Sequence, residues 1–277
     1  MNIPEFKTKQ DLFSFLKTNK STLIAEKKYQ TKHGDVISYF VTNEEGNELV
    51  NKGAIIDPSE FKGNEIKVSV VVNTTNILDS HGDVHIPNIW NKTLKEKKDL
   101  YLLQEHKMTF ENIISGDVKA SIKYMTWREL GLDMFGTTQA LVFVATIKRD
   151  RNEFMFNQYL NGYVKNHSVG MQYVNIELAL NSNFKEDAEE RAIWDKYIDT
   201  IVNKKSAEDA GFFWAVTEAK LIEGSAVVIG SNTITPTISV EDKSTPTEVT
   251  KTDQQTAPPE GTQESINYNY LLKQLKN

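Results

Sequence analysis

The sequence predicts an α+β domain whose strands close, or nearly close, into a barrel-like core with helices around it. Three observations carry this. Several separate stretches are rich in β-branched and aromatic residues. A few others carry apolar residues at helical spacing. Strands and helices are interspersed along one chain, which fits layers packed around a single core.

Residues 1–30 read as an N-terminal helical segment. Thr8 and Asp11 have capping spacing ahead of Leu12, Phe13, Phe15 and Leu16. VISYFVT and IKVSVVV read as strands, set apart by the turn-forming EEGNE and EFKGNE. LDSHGDVHIPNIW reads as a polar loop, and NIWNKTLKEKK as a short helix with Pro87 near its start. In GDVKASIKYM, Val118, Ala120, Ile122 and Tyr124 share one face of a strand. TTQALVFVATI is more continuously apolar and reads as a buried strand. RDRNEFMFNQYLNG offers Asp150 as a helix cap and Gly162 as the stop. In the next strand Val169, Met171 and Tyr173 alternate, which puts Ser168 and Gly170 on the other face. A charged segment at about 181–210 then carries Ile193, Trp194, Tyr197, Ile198 and Ile201 as a helical stripe, an inserted helix. GFFWAVTEAKLIEGSAVVIG returns to strand.

The domain reading is 31–238 for the main body, with 239–277 as a disordered linker and a short terminal apolar segment. After about residue 238, Pro, Thr, Gln and charge replace apolar periodicity, and such a segment buries too little surface to offset its ordering entropy. The terminal INYNYLLKQLKN regains apolar character, but a helix that short is marginal alone.

Composition narrows the function classes. The chain has no cysteine, which excludes disulfides, thiolate metal sites and cysteine nucleophiles. No apolar run has the ~20 residues of a membrane helix, and MNIPEFKTKQDLF lacks a signal peptide's basic start and apolar core. A net charge of −6 argues against a dedicated nucleic-acid surface.

The chemistry-bearing residues are then few. A serine nucleophile needs a base within hydrogen-bond reach, and the base needs an orienting acceptor. His106, in LLQEHKM, is a base candidate because imidazole titrates near neutrality. Ser168, between Gly162 and Gly170 in NGYVKNHSVGMQYV, is the nucleophile candidate. His167 is adjacent but points to the opposite face of a strand, so its reading is structural. Glu223, in EAKLIEGSAVVIGSN, is the acid candidate, with Glu218 as its competitor. Regular alternation puts those two glutamates on opposite faces, so only one enters a site. His81, Asp83 and His85 have the i, i+2, i+4 spacing of ligands on one strand face. With no further ligand cluster, the structural reading is preferred: Asp79 and Asp83 organise a turn, and no metal or cofactor is expected.

These segments, taken in order, resemble the prohead maturation proteases of tailed phages. An apolar pair, Leu102 and Leu103, leads into His106, with a strand beginning near Gly116. A helix and glycine precede Ser168, Val169, Gly170 and Met171, as in the family's serine, hydrophobic, glycine, hydrophobic run. Leu221, Ile222, Glu223, Gly224 and Ser225 match its leucine, acid and serine strand. Asn232 matches the end of the following turn, but the family's Pro-Ala is Gly230-Ser231 here. An Asp…Gly-Asp…Pro segment like 79–87 also recurs there. The likeness spans roughly 66–235.

The resemblance implies a herpesvirus-assemblin-like fold and a serine endopeptidase acting during phage head assembly. His106, Ser168 and Glu223 would be base, nucleophile and orienting acid. Backbone N–H groups near the nucleophile would stabilise the oxyanion, with Val169 and Gly170 nearby. The partners implied are the major capsid protein and scaffold of the procapsid, and the enzyme itself through self-cleavage. No nucleic-acid or membrane partner is implied, and a homo-oligomer is compatible. The place implied is the host cytoplasm, inside the immature procapsid. The alternative reading is a catalytically inactive, protease-derived scaffolding or capsid assembly protein.

Overall fold

The computed structural model describes residues 4, 6–31, 58–59, 61–97, 99–228 and 234–242. The strand expected in VISYFVT, the turn at 229–233 and the tail from 243 onward lie outside these residues.

The N-terminal segment is two helices, α1 (Lys9–Thr18) and α2 (Lys20–Tyr29). Thr8 Oγ1 caps the first, accepting from the Asp11 N–H at 3.1 Å. Asn19 divides them: its backbone leaves the helical region and its side-chain amide donates to the Phe15 carbonyl at 2.9 Å. Phe13, Leu16 and Leu23 enter the main core. Lys27 forms a buried ion pair with Asp83, whose other carboxylate oxygen accepts from Tyr173 Oη at 2.9 Å. A buried lysine is tolerated only with such a partner.

The strands are β1 (Glu65–Thr74), β2 (Asp83–His85), β3 (Leu102–Gln104), β4 (Ile113–Ser115), β5 (Asp117–Thr126), β6 (Thr137–Lys148), β7 (Asn166–Leu180), β8 (Phe212–Val227) and β9 (Thr237–Asp242). Between them lie α3 (Asn91–Glu96), α4 (Glu153–Leu160), α5 (Ala188–Tyr197) and α6 (Lys204–Ala210). One sheet runs β5-β6-β1-β9; the other runs β2-β8-β3-β4, with β7 also pairing β8. The α+β class is therefore as the sequence predicts. Among the described residues the hydrogen-bonded ladders form two open sheets rather than one closed ring.

Two corners join the sheets. At Gly116 the chain passes directly from β4 to β5. At the other corner Pro236 accepts from the Val71 N–H at 3.0 Å, and Thr235 accepts from the His167 N–H at 3.1 Å. The core lies between the sheets. Val68, Val70, Leu141 and Phe143 from one meet Val169, Met171, Leu221 and Val216 from the other. β6 is buried on both faces for most of its length, as its continuous apolar run predicts. β5 is half-exposed, with Val118, Ala120 and Ile122 packed on the core and Tyr124 largely in solvent.

Several local expectations are corrected. Asn152, not Asp150, caps α4, accepting from the Met155 N–H at 3.0 Å; Gly162 does follow its end, with φ +69°. The inserted segment holds two helices, α5 and α6, rather than one; its Trp194, Tyr197, Ile198 and Ile201 form a second core with Phe213 and Ala179. The boundary at 238 falls inside β9, whose Val240 is buried opposite Val68. Residues 239–242 thus belong to the sheet, and polar neighbours masked a strand that only its pairing partner reveals.

The metal-like spacing at 81–85 has a different use. Asp79 Oδ1 accepts from the His81 and Asp83 N–H groups at 2.8 and 2.9 Å, the turn expected of it. Asp83 and His85 lie on β2, parallel to β8, rather than in a loop. His85 engages Asn73 through Nδ1 at 2.8 Å and Tyr173 through Nε2 at 3.2 Å. Among the described residues no group of three or more acidic or histidine side chains is gathered to hold a metal.

Candidate active site

The site sits on one face of the β7–β8 ladder. In antiparallel pairing, opposite residues share a face, as do residues two apart on one strand. Ser168 lies opposite Ser225, and Gly170 opposite Glu223. These four positions therefore share one face. The intervening Val169 and Gly224 face the core, where a Cβ on Gly224 would lie 2.6 Å from the Phe143 ring.

His106 reaches this face from the turn after β3. β3 runs parallel to β8, with Leu103 opposite Ser225 and Gln104 opposite Ala226. The chain then turns sharply: Glu105 and His106 have φ of +52° and +57°, and the Lys107 N–H returns to the Gln104 carbonyl at 3.1 Å. Positive φ at both central residues is the pattern of a type I′ turn. Non-glycine residues held there cost of order 1–3 kcal/mol each and cluster at functional sites. The Glu105 N–H donates to the Ala226 carbonyl at 2.9 Å, and the His106 N–H to Ser225 Oγ at 3.1 Å. The turn is thus pinned to β8 at successive residues.

The His106 ring then meets the acid. His106 Nδ1 lies 2.6 Å from Glu223 Oε1, and Ser225 Oγ donates to Glu223 Oε2 at 2.7 Å. A carboxylate only accepts, so Nδ1 carries the proton and Nε2 is left with the basic lone pair. Glu223 is almost fully buried, and two donors satisfy its two oxygens, as a buried carboxylate requires. Lys97 Nζ donates to the Leu221 carbonyl at 3.0 Å, and to that of Ile222, just upstream. Burial holds Lys97 below the ordinary lysine range, and the Glu223 charge works against that.

Gly170 makes room for the acid. A Cβ there would lie 2.0 Å from Glu223 Oε1 and 2.8 Å from its Cδ. Only a glycine lets the Glu223 side chain lie across β7 and present its carboxylate to His106.

The three sequence-predicted residues are placed as follows. His106 and Glu223 are in direct contact, and Ser168 lies on the same face, opposite Ser225 and two residues from Gly170. His106, in the turn after β3, and Ser168, on β7, are separated by β8, which pairs with both strands. Ser168 and Glu223 are buried, while His106 is partly exposed on its turn. Glu218 points elsewhere, pairing with Lys92 at 3.2 Å and accepting from Asn175 at 3.0 Å. Asn232 lies outside the described residues. The sequence matches Ser225 to the serine of the leucine, acid and serine strand but assigns it no role; its link to both His106 and Glu223 appears only in the fold. Sequence reasoning also passed over the steric need for Gly170, which no single strand's sequence reveals.

His167 plays the structural part expected of it. It is fully buried on the core side, with Nδ1 3.1 Å from the Thr235 carbonyl and Nε2 2.8 Å from Tyr159 Oη. The carbonyl fixes Nδ1 as the protonated nitrogen, and Tyr159 donates to Nε2. Burial pushes its pKa down to about 4, with the Thr235 hydrogen bond opposing. An unfolded histidine titrates near ~6.5, so between those values the unfolded chain binds more protons. Stability should therefore be whole above about pH 6.5 and fall toward pH 4, by about 3 kcal/mol from this residue. Urea denaturation at pH 7 and pH 4.5 checks this. A His167→Gln variant should lose much of the difference, and an equal loss in both proteins would remove His167 as its source.

Comparison with protein-family models, with curated proteins and with solved structures finds no match to this chain.

Proposed function

We propose that the chain is a serine endopeptidase of capsid maturation, cutting scaffold or the N-terminal segment of a capsid protein, and itself, during phage head assembly. The observation that carries the hydrolase part is the His106 Nδ1–Glu223 Oε1 contact of 2.6 Å on the strand face that also bears Ser168. The capsid setting rests on the resemblance of the segments around His106, Ser168 and Glu223 to prohead proteases. The two sheets joined at Gly116 and at Thr235–Pro236 suit the barrel-like, assemblin-type core of that reading.

In this reading Ser168 Oγ attacks the scissile carbonyl carbon while His106 Nε2 takes its proton. The tetrahedral intermediate collapses as His106 returns that proton to the leaving amine. Water, deprotonated by His106, then hydrolyses the acyl-enzyme and frees Ser168. Glu223 holds the ring in the tautomer this needs and stabilises the imidazolium. Backbone N–H groups beside Ser168 supply oxyanion stabilisation.

The test is mass spectrometry of the purified chain, alone and with the major capsid protein. New termini should appear with the wild type and be lost with Ser168→Ala. Identical fragments from both proteins would reject the nucleophile. No fragments from a folded wild type, with binding to capsid protein intact, would favour the inactive scaffolding reading.

A further inference from the structure

We infer that Ser225 is a positioning residue that holds the base and the acid of this site in register; the inference rests on the endopeptidase reading. Ser225 and Ser168 face each other across the β7–β8 ladder, so sequence position alone does not separate their roles. Their hydrogen bonds do. Ser225 Oγ donates its proton to Glu223 Oε2 at 2.7 Å and accepts from the His106 backbone N–H at 3.1 Å. The direction is fixed, because the carboxylate only accepts and the amide only donates.

One hydroxyl thus ties the backbone of the base to the carboxylate of the acid. The backbone end matters because His106 sits at φ +57°, in a turn that non-glycine residues adopt only when held. The flanking N–H groups of the turn go to the Ala226 and Gln104 carbonyls, and Ser225 supplies the acceptor between them. The acid end matters because Glu223 Oε1 is given to His106. Anchoring Oε2 to Ser225 sets the plane of the carboxylate against the ring. Ser225 is fully buried, so water does not replace it. Its proton is committed to Glu223, while His106 Nδ1, which faces that same carboxylate, is a donor. Ser225 therefore lacks the base that a nucleophile needs, and its role is to position.

The experiment compares full-length wild type, Ser225→Ala, Ser225→Thr and Ser168→Ala on a peptide bearing a mapped self-cleavage site. It also records the ring Nδ1–H proton resonance of His106 by NMR. Ser225→Ala should lower kcat by about 10- to 100-fold, with KM within about twofold, and broaden or move the Nδ1–H resonance. Ser225→Thr, which keeps the hydroxyl, should recover most of both. Wild-type kcat with an unmoved resonance in Ser225→Ala would overturn the proposal. So would a folded threonine variant as slow as alanine. Complete loss in Ser225→Ala with activity kept in Ser168→Ala would make Ser225 the nucleophile and overturn it as well. If no protein cleaves, the endopeptidase reading fails, and the resonance still decides: moved in Ser225→Ala upholds the positioning, unmoved rejects it.

Discussion

Replacing Gly170 by alanine is expected to abolish cleavage while leaving every proposed catalytic group in the chain. The added Cβ would fall 2.0 Å from Glu223 Oε1, far inside contact distance, and the carboxylate is held there by His106 and Ser225. Glu223 must swing away or β7 must part from β8. The first breaks the histidine–acid pair and strands a buried carboxylate; the second strains a ladder between two cores. Overpacking of this kind costs about 1–3 kcal/mol. The folded fraction of Gly170→Ala should therefore melt earlier than wild type, with the His106 Nδ1–H resonance lost and the cleavage rate down by about 10³-fold or more. A variant that cleaves normally, with that resonance intact, would show that Glu223 does not need the space over Gly170.

The second large effect separates the two glutamates. Glu223→Gln should lower kcat by about 10⁴-fold, because a neutral amide neither stabilises the imidazolium nor enforces the productive tautomer. Glu218→Gln should stay within about twofold of wild type. Glu218 is partly exposed and paired with Lys92, and such surface pairs contribute about 0–1 kcal/mol. Urea midpoints measured beside the rates separate a chemical loss from an unfolded protein. The reverse outcome, with Glu218→Gln inactive and Glu223→Gln near normal, would remove Glu223 from the mechanism.

The likeness between expectation and structure is uneven for physical reasons. Local patterns were legible where a short stretch carries its own cause. Thr8 caps a helix because its hydroxyl reaches three residues on. Gly162 ends α4 because the chain needs φ of +69° there. The alternation of Val169, Met171 and Tyr173 marks a core face, which leaves Ser168 on the other. Asp150 lost the cap of α4 to Asn152, two residues away, because capping competes among neighbours of similar chemistry.

By itself the sequence determined the α+β class, most strands, the N-terminal helices, and the choice of His106, Ser168 and Glu223 as the residues worth testing. The class and the elements were legible because periodicity and capping are properties of contiguous residues; the three site residues came from the resemblance of their segments to the prohead proteases. Only the tertiary structure decided that β8 lies between β3 and β7, that Glu223 rather than Glu218 meets His106, and that β9 extends to Asp242. Only it revealed that Ser225 links base to acid and that Gly170 must lack a side chain. Each of these depends on which residues stand opposite one another across a ladder. That register is set by partners as far apart in sequence as Ile66 and Asp242, and no local pattern carries it.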